Sequence, residues 1–171
     1  MTQPHATVRQ KSRLAIIAPS VEHLERNCAH LIQTALRRNN AVLCAAPGLP
    51  IGVAGEGPFQ GASLTNASDR LDTEAAPGLP VRSETLKSAA HEWRPDTILA
   101  CGLDALPLAQ DAARQIRLDR IACLLFERPE ISANGAIQRW SAKRRIRHAL
   151  KQCFTVIVAS PSQAQVCDTM G

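Results

Sequence analysis

Short unbroken apolar runs alternate along this chain with longer stretches in which apolar residues return every three or four positions. Leu14-Ala-Ile-Ile-Ala-Pro19 is the first run, the pattern of a parallel strand buried on both faces. Ser20 then offers a helix N-cap, and Leu24, Cys28, Leu31, Ile32, Ala35 and Leu36 fall on one helical face. Asn39-Asn40 predicts the stop, because asparagine tolerates the left-handed conformation in which helices often end. Ala41-Val-Leu-Cys-Ala-Ala46 follows as a second strand, which makes a βαβ unit. Between residues 47 and 82 the periodicity lapses, and this stretch holds six of the nine glycines and five of the eleven prolines. It reads as a long irregular loop enclosing one short strand.

Order returns with Leu86, Ala89, Ala90 and Trp93 on one helical face, then the breaker Arg94-Pro95 and a strand at Thr97–Cys101. Ala105, Leu108, Ala109, Ala112, Ala113 and Ile116 form the cleanest amphipathic stripe, small enough to lie close against a sheet. A strand at Ile121–Phe126 follows. Ala142, Ile146, Ala149 and Cys153 mark a helix leading into the β-branched strand Thr155–Ala159, and Ser160-Pro161 opens a closing helix. Five strands alternating with helices predict an α/β, Rossmann-like, doubly wound and mostly parallel sheet with helices on both faces, in a single domain at 13–171 behind a flexible basic tail at 1–12. In such sheets ligands bind beyond the carboxyl ends of the strands. The segments to examine are therefore Pro19–His23, Gly102–Asp104, Glu127–Glu130 and Ser160–Ser162.

Composition narrows the class without choosing a chemistry. The 171 residues are 45% hydrophobic and 20% charged, enough for one domain with a real core and too apolar for wholesale disorder. No apolar run approaches the roughly 20 residues of a membrane-spanning helix, and Met1–Lys11 lacks the apolar stretch of a secretion signal. A cytoplasmic protein is expected, with the net charge of +5 suiting anionic partners. The six cysteines are at least 14 residues apart, which excludes a C-x-x-C zinc or redox motif and predicts reduced, structural thiols. No G-x-G-x-x-G, G-x-x-x-x-G-K-[ST] or G-x-S-x-G follows any strand, so dinucleotide, P-loop and α/β-hydrolase chemistries lose their support. No cofactor and no metal site is expected, since His30, His91 and His148 lie on helices without ligand-spaced companions.

What remains are polar residues at strand ends and one charged helix. His23 sits in the first turn after the first strand, where a neutral imidazole can hydrogen-bond a ligand hydroxyl or act as a base; a solvated first-turn residue is the plainer reading. Asp104 stands at a strand exit, placed to cap the next helix or to meet a substrate hydroxyl. Glu127-Arg-Pro-Glu130 sets two carboxylates and a guanidinium at a strand end, costly inside a core and useful on the rim of a cleft. Arg139–Lys151 carries six basic residues and no acid, with Lys143, Arg147 and Lys151 repeating every four positions beside Arg144. That stripe is either a solvated face or a contact for phosphates or anionic membrane; five aromatics and no stacking motif speak against nucleic acid.

In order, these segments resemble the N-terminal domain of the family 4 glycosyltransferases, the retaining, two-domain GT-B enzymes. Leu36-Arg-Arg-Asn-Asn-Ala-Val-Leu-Cys-Ala-Ala-Pro47 is similar to that family's leucine-rich helix, turn and second strand, with Asn39-Asn40 replacing the usual turn residues. Trp93-Arg-Pro-Asp-Thr-Ile-Leu-Ala-Cys-Gly102 is similar to its Pro-Asp strand, and Leu124-Leu-Phe-Glu-Arg-Pro-Glu130 to the strand ending in a polar loop. Phe154–Gly171 resembles its strand, serine and closing helix before the crossover to a second domain. Two features depart: the glycine-rich loop after the first strand is absent, and Phe126-Glu127 stands where a histidine is common. The resemblance implies an acceptor-binding half of an enzyme that transfers a sugar from a nucleotide-sugar donor to a glycan or lipid-linked acceptor, with the donor bound by a second domain that these residues do not include. His23, Asp104, Glu127 and Glu130 are then expected to line the acceptor cleft, and Lys143, Arg144 and Arg147 to meet phosphates or the inner membrane face. Transfer by these residues alone is expected to be slight, since both substrates must share one cleft. The rival expectation is a stand-alone, non-catalytic Rossmann-like binding or regulatory module.

Overall fold

The apolar runs become the strands of one sheet, and the alternation of side chains along each strand divides the core into two layers. A computed structural model describes residues 11–67, 84–126, 136–161 and 164–165. Its strands are β1 (Arg13–Ile17), β2 (Ala41–Ala46), β3 (Gly52–Val53), β4 (Ser63–Asn66), β5 (Thr97–Cys101), β6 (Ile121–Leu125) and β7 (Thr155–Val158). They lie in the order β3-β4-β2-β1-β5-β6-β7, all parallel except β3, which runs antiparallel to β4. The fold is α/β and Rossmann-like, as the alternating pattern predicts. Among the described residues there are seven strands: beside the five alternating ones, the glycine- and proline-rich stretch, expected to enclose one short strand, contributes two, β3 and β4. Strands of two and four residues are too short to display a period, and the neighbouring strand supplies what their sequence lacks. The described part of this stretch, 47–67, is also no solvated excursion, since Leu49, Phe59 and Ala62 are buried in the core.

Ala15 and Ile17 of β1 point to one face of the sheet, with Leu43, Ala45, Ile98, Ala100 and Cys123 from its neighbours. Ile16 points to the other, with Val42, Cys44, Leu99 and Cys101. Both faces are covered, which is why the runs are unbroken rather than alternating. On the second face lie a short helix α1 (Val21–His23), a π-helical turn (Leu24–Cys28) and α2 (Ala29–Arg37). The Ser20 hydroxyl caps this segment by accepting from the His23 amide at 3.1 Å. Its far end closes on Asn39, at φ 64°, with the Asn40 amide bonded to the Ala35 carbonyl and the Asn39 amide to that of Leu36. That is the stop the asparagine pair predicts.

The first face is covered by α3 (Glu84–Trp93) and α4 (Leu106–Ile116), with α5 (Ala136–Lys151) leading from β6 to β7. α4 ends in the same bonding pattern as α2, but with Arg117 in the left-handed position at φ 55°. At the amino ends, Asp96 of the Pro-Asp pair accepts the Arg13 amide at 2.8 Å and returns a backbone bond of the same length to the Arg13 carbonyl. The pair therefore laces β1 to β5, far from the carboxyl-end crevice. The tail at 1–10, the part of the long loop at 68–83 and most of the closing helix lie outside the described residues.

Candidate functional site

Strand order fixes where a crevice must open. From β1 the connections step outward to β2 and β4, and from β5 they step the other way to β6 and β7, so the direction reverses between β1 and β5. Segments leaving the carboxyl ends of those two strands turn apart and leave a gap between them. His23 enters from the β1 side and Gly102 from the β5 side. A Cβ placed on Gly102 would lie 3.9 Å from His23 Cε1 and 4.0 Å from Nε2, so the ring rests against this backbone at contact distance. Gly102 adopts φ 93°, a conformation that side-chain-bearing residues rarely take, while its amide bonds the Leu124 carbonyl at 2.8 Å. Phe126, just past β6, meets the imidazole edge to face with ring centroids 5.6 Å apart.

The imidazole is thus held by a capped turn behind it, a glycine backbone beside it and an aromatic ring across it. Nε2 is nonetheless buried with no hydrogen-bond partner among the described residues. A buried polar atom left unpaired costs about 1–3 kcal/mol, so such atoms are uncommon without a reason. Directly behind His23 comes the π-helical turn, a form met chiefly as single turns and frequently at functional sites. As a neutral ring this histidine can donate to or accept from one ligand hydroxyl or amide.

The other expected site residues divide. Asp104 stands exposed on the same rim, two residues past Gly102, but does not cap α4: the N-cap is Ala105, without a side-chain cap bond. Pro107 in the first turn removes one amide that would need capping, which makes a capping carboxylate dispensable. Glu127 and Glu130 lie outside the described residues. Lys143, Arg144 and Arg147 are exposed on α5. Since α5 starts beyond the carboxyl end of β6 and descends to the amino end of β7, its basic second half runs away from the His23 crevice.

The cysteines hold a feature that spacing along the chain conceals. Cys28, at the end of the π turn, and Cys101, the last residue of β5, are both fully buried with sulfurs 3.1 Å apart in a thiol–thiol hydrogen bond. That bond, together with burial, keeps the Cys101 proton on well above the ordinary thiol range. Burial pushes the nearby Cys44 thiol up to about 12. All the described cysteines are free thiols. Among the described residues no group of three or more His, Cys, Asp or Glu is placed to hold a metal ion, and no helix is long and apolar enough to cross a membrane.

No protein-family model matches the chain, and no curated protein matches it either. Among solved structures it is similar to the A domain of carboxylic acid reductase from Segniliparus rugosus, determined with AMP and a co-purified carboxylic acid. The identity is 16% and the TM-score 0.36, over 98% of this chain and 20% of that one, so the chain spans about a fifth of the length of the protein it matches. At that identity and superposition the likeness says nothing about what this chain binds.

Proposed function

We propose that this chain is the acceptor-binding half of a retaining glycosyltransferase, with the crevice between β1 and β5 receiving an acceptor hydroxyl. The observation that carries the reading is the buried Nε2 of His23, without a hydrogen-bond partner among the described residues, at the point where the strand connections reverse. A sugar ring offers what this place asks for: a hydroxyl for the imidazole and an apolar ring face for Phe126. Absence of a glycine-rich phosphate loop after β1 suits an acceptor better than a nucleotide, because phosphate binding relies on closely approached backbone amides. The order of the four motif segments supports the family assignment. The nucleotide sugar is then held by a second domain.

Amide chemical shifts of the 15N-labelled chain test this. Titration with methyl glycosides of glucose, mannose and N-acetylglucosamine should move His23, Gly102 and Leu103, and His23→Ala should remove the effect while the dispersed spectrum of a folded chain remains. UDP-glucose and GDP-mannose should shift these amides little and show negligible turnover with the isolated chain. If UDP or AMP instead saturates the crevice while no glycoside perturbs it, the acceptor reading falls. Binding of a glycoside that stays unmodified after a donor domain is supplied would favour a non-catalytic module.

A further inference from the structure

α3 and α4 pack side by side, and each runs into a strand, α3 into β5 and α4 into β6. Both therefore end at the amino edge of the sheet, opposite the His23 crevice. Between their last turns opens a cleft of about 240 Å³. Pro95, Ile116 and Leu118, buried or half-buried, form its floor, and the exposed His91, Arg94, Gln115 and Arg117 form its rim. The two arginines hold equivalent places: each is the first residue after its helix, in the left-handed region at φ 46° for Arg94 and φ 55° for Arg117. Glycine takes that conformation freely and arginine only under strain, and at Arg94 the following proline narrows the choice further. Cations near a helix C-terminus answer the helix dipole, but His91 and Arg114 already do so from within the last turns. The dipole therefore does not account for two strained arginines beyond those turns, and strain of this kind collects at ligand sites. Among the described residues neither guanidinium, nor the His91 ring, nor the Gln115 amide group makes an ion pair or a side-chain hydrogen bond. Acids are at hand, since Glu92 and Asp96 stand two residues from Arg94 and Asp119 two from Arg117, yet Asp96 accepts the Arg13 amide instead.

We propose that this cleft binds a phosphate dianion, free or carried on an organic ester. A guanidinium from each helix end can pair two oxygens of one phosphate, while the Gln115 amide group and the His91 imidazole donate to what remains. Two arginines call for two negative charges, which a phosphate supplies and a single carboxylate does not. The volume lies below the range of about 300–1,000 Å³ typical of drug-sized ligands, which suits a small anion better than a whole nucleotide. The floor offers no polar side chain, so affinity resides in the rim, and an ester's organic part has Ile116 and Leu118 to rest on. Because the cleft lies at the amino ends of the strands, the proposal does not rest on the transferase reading.

The test is a titration of the 15N-labelled chain with inorganic phosphate at low ionic strength, with chloride of equal ionic strength as the blank. The Arg94, Gln115 and Leu118 amides should move saturably, while those of His23 and Gly102 stay still. Arg117→Gly is the informative variant: it should melt no lower than the parent chain, because the strain is gone, and yet bind phosphate about tenfold more weakly. Arg94→Gln should lower the affinity to a similar extent, and Arg114→Gln, on α4 but outside the cleft, should leave it unchanged. Phenyl phosphate that binds more tightly than phosphate and also moves Ile116 points to an ester as the ligand; equal or weaker binding points to free phosphate. No saturation in the millimolar range, equal loss with Arg114→Gln, or undiminished affinity in either Arg117→Gly or Arg94→Gln would each overturn the proposal.

Discussion

The two faces of the sheet are made of different materials. Against α3 and α4 half of the buried residues are alanines, with Ala90, Ala105, Ala109, Ala112 and Ala113 letting the helices lie close to the strands. Against the α1–α2 segment they are larger side chains and thiols: Ile16, Leu24, Ile32, Phe59 and Leu99 with Cys28, Cys44 and Cys101. A close-approach layer has no room to add atoms, whereas a large-residue layer cannot lose them without leaving a void. Burial is complete on both, yet the substitutions that damage each run in opposite directions.

The largest expected effect belongs to the thiols. Below pH 9 folded and unfolded chains both hold the Cys44 proton, and its contribution to stability is fully present. Between pH 9 and about 12 the unfolded chain ionises first, so stability drops as pH rises, by on the order of 4 kcal/mol over the window. Urea unfolding across that range should show the decline, and Cys44→Val should reduce its slope, with the raised Cys101 thiol retaining a share; the chain has no tyrosine to titrate there. Unchanged slopes would remove the thiols from the comparison. Next comes Ile32→Ala, a void on the same face, expected to cost about 3 kcal/mol in the denaturant midpoint. Ala109→Leu is its mirror on the α4 face: adding atoms there should cost about 2 kcal/mol, and a cost near zero would mean that this layer has slack. The smallest effect has the opposite sign. Arg117→Gly should stabilise by about 1 kcal/mol, since glycine takes the left-handed position without strain.

Most of the frame was legible because it rests on local signals. β1, β2, β5 and β6 stand within one or two residues of their apolar runs, and Asn39 stops its helix as its chemistry dictates. Of β3 and β4 only one short strand was legible, because β4 is held by β2 and β3 by β4 rather than by a pattern of their own. At the site, position after a strand was enough to single out His23, yet nothing in the sequence says that its Nε2 has no partner. Gly102 reads only as a strand terminator until its positive φ and its contact with the imidazole are seen. Cys28 and Cys101 are 73 positions apart, and only the fold joins them. The Asp104 capping expectation failed because Pro107 changes what the helix start requires.

The π turn between His23 and α2 has a genetic consequence. Such a turn holds one residue more than the α-helix it interrupts, and one residue corresponds to about 100° of rotation at 3.6 residues per turn. Ile32 and Ala35 anchor the downstream helix in the core, so the extra residue sets the azimuth of everything upstream of it. Losing a single codon between Leu24 and Cys28 would restore a regular helix, leave the downstream anchor seated, and swing the imidazole out of the crevice. An in-frame indel here is a gear change: it re-aims one side chain while the hydrophobic framework stays in register.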